Sequence, residues 1–149
     1  MPTVLVASDA EWVHNEIRSV LSRPDTVVVS VWSGAAVRPS VADDPPDLVV
    51  LDLQIGSMGG MATCLDLRLE EGAGRIDHVP VLMLLDRRAD VFLARRSKAE
   101  GWILKPLDPI RLRRATTSLL GGGTYFDMSY APEPVVTGSS SGNVEGSGK

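Results

Sequence analysis

Asp47-Leu48-Val49-Val50-Leu51-Asp52-Leu53-Gln54 is the stretch on which the reading of the fold turns. Four apolar residues follow one another without polar alternation, and the run ends on an aspartate. A strand with one wet face alternates apolar and polar side chains. An unbroken run means burial on both faces, as in a parallel sheet covered by helices. Working outward, Val4-Leu5-Val6-Ala7, the valine-rich Thr26 to Trp32, Val79 to Leu85 and Trp102-Ile103-Leu104 read as four further strands.

Helical patterns separate these runs. Val13, Ile17, Val20 and Leu21 recur on one face of Glu11 to Leu21, and Pro24 follows. Ser33 to Asp44 is interrupted by Pro39 and is expected to form a short or broken helix. The turn Gly56 to Gly60 leads into a helix ending near Glu71, with Met61, Cys64, Leu65 and Leu69 as its expected inner face. Asp90 to Lys98 and Pro109 to Leu120 read as the last two helices, the latter with Asp108 as N-cap and Pro109 in the first turn. Strict βα alternation predicts an α/β fold: a five-stranded, doubly wound parallel sheet with helices on both faces. Functional residues then lie at the carboxyl ends of the strands.

Composition bounds the function. The chain has 149 residues, enough for one domain, and a net charge of −4, whereas a phosphate-gripping nucleic-acid binder is basic. Its single cysteine, Cys64, allows no internal disulfide. No apolar run is long enough to span a bilayer, and no leader pattern precedes the first strand. A cytoplasmic protein without membrane or DNA contact is the expectation. The domain is expected over residues 1–122, with a tail over 123–149 in which Tyr125 to Tyr130 is expected to pack on the domain and the Ser-, Gly- and Pro-rich part from about 131 is expected to be disordered.

Asp9, Asp52 and Lys105 stand at the ends of the first, third and fifth strands. Paired carboxylates repel unless a cation joins them. Magnesium accepts such a pair, with water and phosphate oxygen completing its shell. A lysine beside them adds a point charge for a phosphoryl oxygen. Nucleophile, metal and positive clamp are the main requirements of phosphoryl transfer, with Asp52 as the nucleophile.

Here the chain resembles the receiver domains of two-component response regulators. The resemblance covers roughly residues 3 to 120 and rests on the Asp52 segment and on Gly101-Trp102-Ile103-Leu104-Lys105-Pro106-Leu107. It implies a flavodoxin-like sheet of order 2-1-3-4-5 and Asp52 as phosphoacceptor. Magnesium would be held by Asp9, Asp52 and the Gln54 backbone carbonyl, with Lys105 on the phosphoryl group. Trp102 falls at the family's aromatic switch. A stand-alone receiver of this kind takes its phosphoryl group from a sensor histidine kinase or a small phosphodonor and acts on a downstream protein. It is not an enzyme beyond magnesium-dependent self-phosphorylation and dephosphorylation.

Two departures matter. Ser8 replaces the first of the family's two acids; it can hold a metal-bound water but brings no charge, so magnesium affinity should fall. Leu85 stands where the family has Thr or Ser, and cannot donate to a phosphoryl group. A hydrogen bond to a charged group is worth roughly 1.5–3 kcal/mol, while a full population shift needs about 5.5 kcal/mol. Ile55-Gly56, where the family commonly has Met-Pro, reads as loop variation. The acceptor half is therefore expected to be intact and the switch atypical.

Among the basic residues of the last third, Arg95, Arg96, Lys98, Arg111 and Arg114 read as a partner surface, which the family often uses for effectors or for a homodimer through its fourth helix, fifth strand and fifth helix. A solvated helix face is the plainer alternative. The rival function is a pseudo-receiver, a scaffold that binds partners without phosphate. An aspartyl phosphatase fits less well, because Gln54 stands where such enzymes commonly carry a second acid. A third reading makes the chain a piece of a larger regulator, with Ser139-Ser140-Ser141-Gly142 as linker. His14 and His78 suggest neither metal nor catalytic roles.

Overall fold

The computed structural model describes residues 1–129. The strands are β1 (Thr3–Ala7), β2 (Val27–Val31), β3 (Leu48–Asp52), β4 (Val81–Leu85), β5 (Gly101–Leu104) and β6 (Tyr125–Phe126). They form one parallel sheet in the order β2-β1-β3-β4-β5-β6. The helices are α1 (Glu11–Leu21), α2 (Val37–Asp43), α3 (Gly60–Gly72), α4 (Val91–Arg96) and α5 (Pro109–Leu120). The order 2-1-3-4-5 is the one expected; β6 is an addition at its far edge.

The unbroken apolar runs have the predicted cause. Leu5, Ala7, Val49, Leu51, Val81, Met83 and Leu85 point into one core, with Cys64 and Leu67 of α3 and Val91 and Ala94 of α4. Their neighbours Val4, Val6, Leu48, Val50, Leu82 and Leu84 point into the other, with Val13 and Ile17 of α1 and Leu112 and Leu119 of α5. Each strand therefore needs apolar residues at both parities. The expected inner face of α3 is only partly right. Cys64 is buried, but Leu69 is 70% exposed, and Thr63 and Leu67 take the inward positions instead.

Pro39 does not break α2. It is the third residue of the helix, where the missing N–H has no intrahelical partner to lose. A 3₁₀ turn, Gly34–Ala36, leads in. Asp108 caps α5 by accepting a hydrogen bond from the Ile110 N–H at 2.9 Å. Beyond α5, Gly121 to Gly123 turn the chain back. The Tyr125 N–H donates to the Glu100 carbonyl and the Asp127 N–H to the Trp102 carbonyl, laying residues 125–127 along the edge of β5. Gly101 permits this approach, since a Cβ there would lie 2.5 Å from the Tyr125 carbonyl oxygen. The disorder expected from about 131 falls outside the described residues.

Candidate functional site

Parallel register carries the ends of β1, β3, β4 and β5 to one edge of the sheet. Asp52 is the last residue of β3 and is 2% exposed. Burying a carboxylate is costly unless its oxygens are paired, and here both are. Oδ1 accepts from Lys105 Nζ at 2.9 Å and from the Gln54 N–H at 3.1 Å. Oδ2 accepts from the Ser8 hydroxyl at 2.8 Å. The loop after β3 folds tightly over this end, because Gly60 lies where a Cβ would meet the Leu53 Cα at 2.6 Å.

Lys105 follows β5 directly. Its ammonium bonds Asp52 on one side and Asp86 Oδ1, at 2.7 Å, on the other. The Trp12 ring centroid lies 5.6 Å away. Burial disfavours the charged amine, but hydrogen bonds and charge from Asp86 and Asp52 outweigh it and hold Lys105 above its ordinary value. Asp9, more exposed, accepts from the Gly56 N–H at 3.0 Å, which ties β1 to the loop after β3. The structure thus joins Ser8, Asp52 and Lys105 directly and ties Asp9, next in sequence to Ser8, to the Gly56 loop. Ser8 donates its hydroxyl hydrogen to the acceptor carboxylate itself.

The candidate metal donors are the carboxylates of Asp9 and Asp52 and the carbonyl of Gln54. All are hard oxygens, and magnesium takes one or two carboxylates and fills its shell with water, so the residues fit it by type. Among the described residues, no three His, Cys, Asp or Glu side chains form a fuller cage.

The switch positions are different in kind. Leu85 is fully buried, in the same apolar core as Trp102. Trp102 is 3% exposed, and its indole N–H has no hydrogen-bond partner among the described residues. Phe126 of β6 covers it, with ring centroids 4.5 Å apart, and Arg95 reaches over its ring at 5.6 Å. Asp127, also buried, accepts from the Leu104 N–H at 3.0 Å and stands 3.8 Å from Arg111. Of the expected partner surface, Arg95, Arg96, Lys98 and Arg114 are exposed, while Arg111 leans on the chain's own tail.

Three site neighbours were not read from the sequence. Asp86 immediately follows the β4 run and could have been found by treating that strand end like the others. His14 is buried on the apolar face of α1. Its Nε2 donates to the Ser8 carbonyl at 2.8 Å and its Nδ1 faces Ser30 Oγ at 2.9 Å, so it braces the strand end that carries Ser8. Asp127 gave no signal, being one acid in a polar tail. Cys64 is core, and burial pushes its thiol up to about 11, unlike a nucleophile's.

A buried carboxylate clasped by an ammonium, at the carboxyl end of the central strand of a doubly wound sheet, defines a receiver-type module. Comparison with known proteins agrees: residues 4–117 match the response regulator receiver domain, and the chain belongs to that family. It is 29% identical to the nitrate/nitrite response regulator NarL of Escherichia coli K12 over 132 residues, spanning 87% of this chain but 60% of NarL. It is 32% identical to the response regulatory protein Rv3143 of Mycobacterium tuberculosis H37Rv, spanning 78% of this chain and 90% of that one. In fold it resembles a LuxR-family response regulator from Aurantimonas sp. SI85-9A1 at TM-score 0.75 and 23% identity, covering 88% and 93% of the two chains. The chemotaxis response regulator CheY4 of Vibrio cholerae matches at TM-score 0.71 and 19% identity, covering 80% and 98%. No helix among the described residues is long and apolar enough to cross a membrane.

Proposed function

We propose that this receiver accepts a phosphoryl group on Asp52 and signals through protein contacts, in the cytoplasm, without DNA binding of its own. The observation that carries the reading is the pairing of Asp52 with Lys105 at 2.9 Å and with Ser8 at 2.8 Å. Asp52 attacks the phosphorus of a histidine-kinase phosphohistidine or a small acyl phosphate. The new bond is carboxylate oxygen to phosphorus, and the donor's bond to phosphorus breaks with its electron pair. Lys105 steadies the charge on the phosphoryl oxygens, and the Ser8 hydroxyl orients the nucleophile. A magnesium ion held by Asp9, Asp52 and the Gln54 carbonyl would supply further charge neutralisation. The only turnover belonging to this reading is self-phosphorylation and loss of the phosphoryl group.

The test is incubation with magnesium and acetyl phosphate followed by mass measurement. The expected result is a gain of about 80 daltons, one phosphoryl group on an aspartyl carboxylate, that disappears in Asp52→Asn. No gain at high donor concentration would overturn the reading. A magnesium titration followed by tryptophan fluorescence tests the metal, since Trp12 borders Lys105.

A second reading is favoured by a separate observation. Leu85 offers no donor, and Trp102 lies under Phe126, so output through the aromatic residue is atypical. A pseudo-receiver that binds partners whatever the state of Asp52 fits that face. In either reading the face of α4, β5 and α5, with Arg95, Arg96, Lys98 and Arg114, is the surface for a downstream protein or a second copy.

A further inference from the structure

Lys105 does not belong to Asp52 alone. Its amine is 2.7 Å from Asp86 and 2.9 Å from Asp52. The two carboxylates differ: the Asp52 side chain is 2% exposed and that of Asp86 43% exposed, one residue past the end of β4. An ammonium has three protons, and two of them are committed here. Asp9, one residue past Ser8, is bonded to the Gly56 N–H, and Arg88 lines the same cavity as Lys105. The nearby guanidinium of Arg87 is itself paired with Asp90, at 3.2 Å.

An incoming phosphodonor is an anion. It needs the positive charge of Lys105, and Asp86 offsets that charge from the solvent side, where the donor arrives. Coulomb interaction over a few ångströms at a partly exposed site is modest but not negligible, and salt screens it. We infer that Asp86 is a positioning residue that restrains phosphoryl transfer to Asp52, holding the Lys105 ammonium at the pocket rim and countering its charge there. The inference rests on Asp52 being the phosphoacceptor. In the step it restrains, an Asp52 oxygen bonds to phosphorus while acetyl phosphate releases acetate, which takes the electron pair of the broken P–O bond.

The experiment is the initial rate of acetyl phosphate labelling of the full chain, with magnesium, at low and high ionic strength. Asp86→Asn is expected to label about three- to tenfold faster at low salt, with the difference shrinking as added salt shortens the screening length. Asp86→Glu keeps the charge and should label near the wild-type rate. Salt dependence together with recovery of the wild-type rate in Asp86→Glu is a readout that a purely structural role would not give. Equal or slower labelling of Asp86→Asn, or a difference indifferent to salt, overturns the inference while leaving the acceptor reading intact. No labelling of either protein overturns both.

Discussion

The acceptor pocket and the surroundings of Trp102 belong to one sheet but hold their key side chains by opposite means. In the pocket every oxygen of Asp52 is engaged, by Lys105, the Gln54 N–H and Ser8. Around Trp102 the packing is mostly apolar: Leu85 stands in the same core, Phe126 covers the ring, and the indole N–H has no partner among the described residues, with the Arg95 guanidinium over the ring as the one charged contact described. Polar groups respond to added charge because their hydrogen bonds are reassigned. The buried side of Trp102, against Leu85, offers no such hydrogen bond to reassign. The difference teaches that acceptance and output are physically separable here, and that a chemically active acceptor does not by itself imply a moving tryptophan.

The largest expected effect breaks the pocket. Lys105→Ala removes the cation that pairs with a buried carboxylate, and a hydrogen bond to a charged group is worth about 1.5–3 kcal/mol. Labelling from acetyl phosphate should fall about 10- to 100-fold, measured as initial rate. A rate within twofold of wild type would show that the pocket's polar contacts do not matter to acceptance, and the contrast with the Trp102 face would collapse.

Leu85→Thr sharpens the comparison by giving the apolar side a donor. The lost side-chain volume in a full core should lower folding stability by about 2 kcal/mol, read by denaturant unfolding. Phosphorylated protein should then show a change in Trp102 emission, in a background carrying Trp12→Phe and Trp32→Phe, where the Leu85 parent stays flat. A parent that already responds would mean the signal reaches Trp102 without that hydroxyl.

A smaller effect is expected at β6. Phe126→Ala removes an aromatic pair worth about 0.5–1.5 kcal/mol beyond area burial. Amide exchange should quicken along Gly101 to Leu104, and Trp102 emission should move toward that of an exposed indole. Leaving water around Trp102 costs little in one respect: its N–H, without a partner among the described residues, gains one on exposure. Unchanged exchange would mean that β5 keeps its order without the cover.

Both halves were legible to different depths, for physical reasons. Leu48 to Leu51 and Val81 to Leu85 declared a two-sided core because burial on both faces leaves no polar alternation. Asp9, Asp52 and Lys105 were legible because strand ends in a doubly wound sheet converge by topology. Asp86 obeys the same rule but stands one residue past the apolar run that ends β4, so the run itself does not mark it. His14 escaped because its partners, the Ser8 carbonyl just after β1 and Ser30 of β2, meet it only through the packing of α1 on the sheet. Tyr125-Phe126 were expected to pack on the domain, but their strand pairing escaped because two residues carry no periodicity. Their pairing depends on Gly101 lacking a Cβ, a tertiary cause that no local pattern announces.

The smallest effect is a pH dependence confined to the Trp102 side. Burial alone would raise the Asp127 carboxyl. Hydrogen bonds from the Leu104 and Ser129 N–H groups and the charge of Arg111 outweigh it and hold the group below the ordinary carboxylate value. A depressed folded-state pKa means that the carboxylate stabilises the docked tail at all pH values above the unfolded value of about 3.8. The contribution fades as pH falls through the lower folded value, because only the charged form accepts all those bonds. Acidification should therefore release β6 before the sheet unfolds, seen as a Trp102 emission change preceding loss of far-ultraviolet circular dichroism. Asp127→Asn should abolish the early step and show the released signal at neutral pH. Coincident transitions in the wild type would mean that β6 is no separate unit, and that the face around Trp102 opens only when the whole sheet does.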